Sequence, residues 1–322
     1  MSFCRLPDWI SGSQKTITLI IFLANAIWIA AESNTNWHSI KYLQGHLKPI
    51  GNQREIIRGQ IAEFDAFIDG PSFYRDFWAP ARPAVFRGVI RHTKAMKQLV
   101  NATYMREKFG SVVGLVDRRT SWVRGGEEAP PRSAMNYSDF QDKILKEQIY
   151  WDDEIPEGHQ ILQNLFIPLP IECEELRRTL IYINMMENSG QVSYVFHRDY
   201  ADNLFHFIAG KKTWLIANST FKDAAYIGQK TESPDMSPVP PDSVDLIKYP
   251  KMAEIDFHEV VLNPGDVMYI PRNWLHYVRS RGRPNIAINI WFGSEFVTNH
   301  LPSVPDCKRQ RRNPKKMLKE KL

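Results

Sequence analysis

Cysteine is scarce in this chain. The 322 residues carry only three, Cys4, Cys173 and Cys307, with no CxxC and no Cys/His cluster. That excludes zinc fingers and cysteine-ligated chromatin-reader modules. Cys173 and Cys307 either pair in an oxidising compartment or stay as two free buried thiols. Long apolar runs are scarce too. The main one, Ile17–Ala31 (ITLIIFLANAIWIAA), spans only about 22 Å as a helix, against roughly 30 Å for a bilayer core. No internal repeat is visible, which argues against solenoids and propellers. A basic body is also missing. The net charge is +5, but the tail Cys307–Leu322 alone carries eight Lys/Arg and one Glu, a net of +7. The remainder is therefore near −2 (5 − 7). The alkaline balance belongs to a tail, and the body is no nucleic-acid surface.

What is present is an ordinary apolar fraction of 43% with nine Trp and seventeen Phe, enough for a large aromatic core of β-rich type. Arg5 and Lys15 precede the apolar run, and small residues end it. Residues 1–31 thus read as a secretory signal peptide or a signal anchor, the latter implying membrane anchoring through residues 16–31. Three sequons, at Asn101, Asn136 and Asn218, agree with a secretory route and a glycoprotein. The chain ends Lys319-Glu320-Lys321-Leu322, which is close to the Lys-Asp-Glu-Leu retrieval signal of the endoplasmic reticulum except for a lysine at its third position. The same tail also reads as a nuclear localisation signal through KRQRRNPKK, or as a solvated basic extension. The expected location is the endoplasmic reticulum lumen or secretory pathway, with the nucleus as the alternative.

Residues 32–58 are polar and aperiodic and read as a linker; 59–175 read as a mixed helix/strand part. Ile61, Phe64, Phe67 and Ile68 fall at helical spacing. Phe73–Trp78 suits a short helix stopped by Pro80 and Pro83. Pro83–Ile90 and Val112–Asp117 read as strands, His92–Phe109 as helical, and Gly125–Arg132 as a surface loop. From Leu176–Asn184 the chain becomes strand-rich as far as Phe292. Asn203–Ile208 and Lys212–Ala217, separated by Ala209-Gly210-Lys211, are expected to form a hairpin. Glu232–Pro250, rich in proline, reads as a long excursion that serves as a lid or binding loop. Asn263-Pro264-Gly265-Asp266 suits a type II turn. In the last strand Asn285, Ala287, Asn289 and Trp291 share one face, and Ile286, Ile288, Ile290 and Phe292 the other. The expected fold is mainly β, a double-stranded β-helix (jelly roll or cupin barrel) with flanking helices.

The chemistry sits in that strand-rich part. His197 and Asp199, two apart on a strand, face the same side. With the distant His276 they form a two-imidazole, one-carboxylate set that can hold iron(II) and leave the opposite coordination face open. His-X-Asp alone is close to chance in a chain with nine histidines. It gains force from its company. The stretch from His197 to Lys212 reads HxDxxxNxxxxxxGxK, and PGDxxxIPxxxxH then leads to His276.

Over residues 176–296, and more loosely at Pro83–Gly88 (PAVFRG), the chain resembles the JmjC-domain (cupin-like) iron(II)/2-oxoglutarate oxygenases of the small protein-hydroxylase type. The resemblance implies that His197, Asp199 and His276 bind Fe(2+), with 2-oxoglutarate and O2 as cosubstrates. It implies that Lys212 pairs with the distal carboxylate of 2-oxoglutarate. Asn203 and Asn289 would line the cosubstrate pocket, and Trp291 its wall. Three residues before the first ligand the family often carries Ser or Thr on that same carboxylate; here stands Tyr194, with Tyr182 as a second candidate donor. The expected activity is hydroxylation of a protein or peptide substrate, coupled to oxidation of 2-oxoglutarate to succinate. Lysyl demethylation is the alternative on the same core, and a non-catalytic cupin-type binding protein the alternative from another class. Residues 297–322 are left as the basic tail.

Overall fold

A computed structural model describes residues 43–118, 132–165, 180–190, 192–229 and 234–293. The apolar leader, all three cysteines, loop residues 125–131, residues 176–179 and the basic tail lie outside the described residues. No helix among the described residues is long and apolar enough to cross a membrane.

The strands are β1 (Ala62–Phe64), β2 (Ala84–Phe86), β3 (Val113–Asp117), β4 (Ser133–Asn136), β5 (Tyr150–Glu154), β6 (Leu180–Asn188), β7 (His197–Arg198), β8 (Asp202–Ala217), β9 (His258–Leu262), β10 (Val267–Ile270) and β11 (Leu275–Phe292). They form one curled sheet in the order β1-β2-β10-β8-β11-β6-β5-β3-β4, with β7 added to β11 and β9 to β8. This is the jelly-roll arrangement. Short helices flank it: α1 (Gly70–Phe73), which continues as a π turn over Tyr74–Trp78, α2 (Lys94–Leu99), α3 (Ala102–Phe109) and α4 (Tyr137–Lys143). Each α-helix opens on a side-chain cap, from Asp69, Thr93, Asn101 and Asn136 respectively. Asn218 caps a short 3-10 turn in the same way. All three sequon asparagines therefore cap a helix or a 3-10 turn through their side-chain oxygens.

β8 corrects the expected hairpin. It runs unbroken for 16 residues, and its two limbs do not pair with each other. Both pair antiparallel with β11: Asp202–Ala209 with Ile286–Phe292, and Lys211–Ala217 with Leu275–Arg281. Gly210, at φ +93°, makes a kink rather than a reversal, because β11 bends beside it. A Cβ there would come within 2.5 Å of the Asn285 side chain, so only glycine fits. The Ile61–Ile68 stretch is also not a helix. Ala62–Phe64 lies parallel to Ala84–Phe86, and that ladder outweighs the apparent period.

The Pro-Gly-Asp turn behaves as read. Gly265 has φ +99°, and Asp266 N donates to Asn263 O at 3.0 Å. Asp266 then anchors three partners: Gly88 N, Asn263 N and Arg87 Nη1 all donate to its carboxylate at 2.8–2.9 Å. The turn is thereby tied to the strand that carries PAVFRG.

Three apolar clusters fill the molecule. The largest packs the helices, with Phe73, Phe109, Phe140 and Trp151, against the Ile286/Ile288/Ile290/Phe292 face of β11. A second, inside the barrel, holds Phe205, Phe207, Trp214, Met268, Val278 and Ala287. A third joins Phe196, Leu215 and Tyr277 to Val239, Val244 and Leu246 of the proline-rich excursion, and to Met252 and Phe257 just after it. That excursion is thus a packed flank. Residues 43–58 are packed as well, contrary to a linker: Ile50 is buried in the third cluster, Lys48 bridges Val244, and Ile57 bridges His258.

Candidate metal centre and cosubstrate cavity

His197 and His276 are partners across the β7–β11 ladder. Their rings lie 4.1 Å apart, centroid to centroid. Asp199, just past the end of β7, completes the group: its Oδ2 is 3.3 Å from His276 Nε2 and its Oδ1 3.8 Å from His197 Nε2. One ligand atom from each residue fits within 4.8 Å of the others. Each imidazole is oriented from behind by a backbone carbonyl. His197 Nδ1 lies 2.8 Å from Val195 O, and His276 Nδ1 3.0 Å from Trp274 O. A carbonyl only accepts, so Nδ1 carries the proton and Nε2 faces the centre as a bare lone pair. Burial draws the His197 imidazole down to about 4, aided by His276 and opposed by Asp199. Burial also works against the Asp199 carboxylate, but the charge and hydrogen bond of His276, and then the charge of His197, outweigh it when those rings are protonated and hold the group below its ordinary range. Neutral nitrogens and an ionised carboxylate are the forms that bind a metal.

The triad opens into a cavity of about 490 Å³. His197, Asp199, His276, Asn203, Tyr194, Asn289, Tyr182 and Trp291 all line it. Tyr194 sets its ring edge-on against His197 at 4.8 Å, and Tyr182 lies against Trp291 at 5.9 Å. Lys212 is placed differently. It is buried beside the lining residue Phe205, its Nζ 5.7 Å from that ring, and donates to Ser280 Oγ at 2.9 Å. Burial lowers it to about 7, an effect that Asp152 partly offsets.

Two groups were not legible in the sequence. The first is an amide chain across the wall: Asn203 Nδ2 donates to Asn289 Oδ1 at 2.8 Å, Asn289 Nδ2 to Asn184 Oδ1 at 2.7 Å, and Asn184 Nδ2 to Asp152 Oδ1 at 2.8 Å. Arg132 then donates to Asp152 Oδ2 at 3.3 Å. Burial lifts the Asp152 carboxyl to about 6 against the pull of Arg132. The second is Asp235, which joins Arg198 at 2.9 Å beside the mouth. The available signal was the acidic run Asp152-Asp153-Glu154 inside a strand that opens Tyr-Trp, where alternation puts Tyr150, Asp152 and Glu154 on one face.

These residues fit the expected groups. Two imidazoles and a carboxylate on one side of an open space suit iron(II). A buried ammonium suits an anion, because an unpaired cation away from water is costly. The indole Nε1 atoms of Trp214 and Trp291, both on the cavity wall, are buried with no partner among the described residues.

A family model described as a cupin-like domain matches residues 71–298. The chain is 23% identical to the bifunctional peptidase and (3S)-lysyl hydroxylase JMJD7 of Homo sapiens, over 75% of this chain and 92% of the relative. It is 22% identical to the lysine-specific demethylase JMJ30 of Arabidopsis thaliana, over 69% of this chain and 52% of the relative. Human HSPB1-associated protein 1 is 31% identical over a shorter stretch, 34% of this chain and 22% of the relative. With the jelly roll, the His-Asp-His centre and this match over most of its length, the chain belongs to the cupin-like domain family, among the JmjC oxygenases.

Proposed function

We propose that the protein is an Fe(II)- and 2-oxoglutarate-dependent oxygenase that hydroxylates a protein side chain. The observation that carries the reading is the triad itself, with two bare Nε2 atoms and an ionised carboxylate aimed into a cavity whose wall backs onto a buried lysine. His197, Asp199 and His276 would hold the metal, which when bound supplies oxygen activation. Lys212 would hold the far carboxylate of 2-oxoglutarate by charge. Asn203 and Asn289, locked in the amide chain, would keep the cosubstrate pocket in shape. Trp291, Tyr182 and Tyr194 would exclude water from the reacting centre.

The lining also bears on the substrate. Beyond the metal ligand Asp199, the residues Asp152, Asp153, Glu154 and Asp235 give the cavity four carboxylates against the two guanidinium groups of Arg132 and Arg198. Such a field favours a cationic side chain. The lysyl hydroxylase activity for which the human relative is named supports the same choice. The site of action is proposed to be the secretory pathway, on the strength of the apolar leader.

Lysyl demethylation, named for the Arabidopsis relative, uses the same kind of core. Mass spectrometry separates the two. Candidate lumenal proteins incubated with enzyme, Fe(II), ascorbate and 2-oxoglutarate should gain the mass of one oxygen. Loss of methyl groups instead would mean demethylation. Neither change on any candidate, with succinate still formed, would remove the lumenal setting.

A further inference from the structure

We propose that Ser280 is the hydroxyl anchor for the distal carboxylate of the dicarboxylate cosubstrate, acting with Lys212. The inference rests on the oxygenase reading and names a residue which that reading did not include.

The argument starts from the ladder. Lys212 on β8 and Ser280 on β11 are direct cross-strand partners. Side chains alternate along a strand, so His276, Val278 and Ser280 share one face of β11, and Trp214 and Lys212 share one face of β8. His276, Val278 and Trp214 line the cavity. Lys212 and Ser280 are therefore the next row along the same inner face, leading away from the metal centre. A dicarboxylate that meets the metal at one end points its other end along this row.

The hydrogen bonds then fix what Ser280 can offer. Its Oγ accepts from Lys212 Nζ at 2.9 Å and from Asn188 Nδ2 at 3.3 Å. The Asn188 amide cannot be turned round, because Gly190 N donates to its Oδ1 at 2.9 Å. Gly190 itself, at φ +81°, lies so close to Gly282 that a Cβ would meet its carbonyl oxygen at 2.0 Å, which fixes that turn against β11. A hydroxyl has two lone pairs and one proton. Both lone pairs of Ser280 are taken by donors, so its proton is left to donate. All three side chains are buried, and water cannot easily take that proton. An ammonium with N–H bonds to spare and a hydroxyl with its proton free, 2.9 Å apart, form a two-pronged donor that matches the two oxygens of one carboxylate.

The same pair accounts for Tyr194. In the family resembled, the serine or threonine three before the first ligand contacts this carboxylate. Tyr194 occupies that position here and sets its ring against His197. Ser280, four residues beyond His276 on the adjoining strand β11, supplies a hydroxyl beside Lys212.

The test uses the full chain loaded with Mn(II), which holds the site without turnover, and 2-oxoglutarate titrated by calorimetry. Wild type should bind. S280A should bind on the order of tenfold more weakly, the loss of a hydrogen bond to a charged group, with Mn(II) affinity unchanged. S280T should stay close to wild type. If alanine disturbs the fold, seen as lost Mn(II) binding, the isosteric pair S280T and S280V decides, since only threonine keeps the hydroxyl. Equal 2-oxoglutarate affinity with and without the hydroxyl overturns the Ser280 assignment and leaves the oxygenase reading standing. Wild-type protein that takes Mn(II) but no 2-oxoglutarate overturns that reading and this inference with it.

Discussion

His197 and His276 meet across one antiparallel rung, ring centroids 4.1 Å apart and ring planes at 60°, with Asp199 closing the third side. The centre is therefore set by strand register. Removing the carboxylate leaves two neutral imidazoles. Asp199→Ala should weaken Fe(II) or Mn(II) binding by more than about a hundredfold, beyond what an outer hydrogen-bond partner is worth. Metal titration of the purified variant checks this, and near-wild-type affinity would remove Asp199 from the ligand set.

Lys212 makes a prediction in pH. Burial draws the free ammonium down to about 7, so above that pH the empty site is increasingly neutral. Binding a carboxylate must then take up a proton, and 2-oxoglutarate affinity should fall by about tenfold per pH unit above pH ~7. Lys212→Ala should cost roughly ten- to a hundredfold in affinity and lose the pH slope, with metal still bound. A flat profile for the wild type would show that the lysine titrates elsewhere.

Glu187 ties stability to pH far from the chemistry. It is buried in the helix-packed core, where Tyr137 donates to its carboxylate. Burial raises it from 4.5 to about 7, with the Tyr137 bond pulling the other way. A carboxyl raised on folding stabilises fully below its unfolded value. That contribution is lost as pH rises from about 4.5 through about 7. Glu187→Gln should remove the dependence, on the order of 3 kcal/mol across the window. Urea midpoints of both proteins at several pH values test it, and parallel curves would contradict it.

Asp152 ends the amide chain at the cavity wall and is one of the carboxylates behind the argument for a cationic substrate. Asp152→Asn should raise KM for basic peptides by about tenfold, the value of one charge-assisted hydrogen bond, while metal affinity holds. An unchanged KM would shift substrate selection to other lining groups.

The barrel and the triad were legible because β patterning and ligand chemistry both act over a few residues. Alternation placed Asn289 and Trp291 on the inner face of β11 and the isoleucines on the outer, where the structure has them. The β8 kink was not legible. A glycine between two apolar runs looks like a hairpin turn, and only the equally bent β11 beside it shows that the strand continues. The apparent helix around Phe64 failed because a long-range ladder with β2 overrode local spacing. Ser280 and Asp152 were invisible for a related reason. Their meaning lies in cross-strand partners, Lys212 and Asn184, which are remote in sequence.

The oxygenase assignment is tested most directly by succinate release. Wild-type protein with Fe(II), ascorbate, O2 and 2-oxoglutarate should convert 2-oxoglutarate to succinate, slowly without substrate, and Asp199→Ala should form none. Folded, metal-loaded wild-type protein that forms no succinate with or without candidate substrates would contradict the assignment, and would leave a cupin barrel that binds without catalysing.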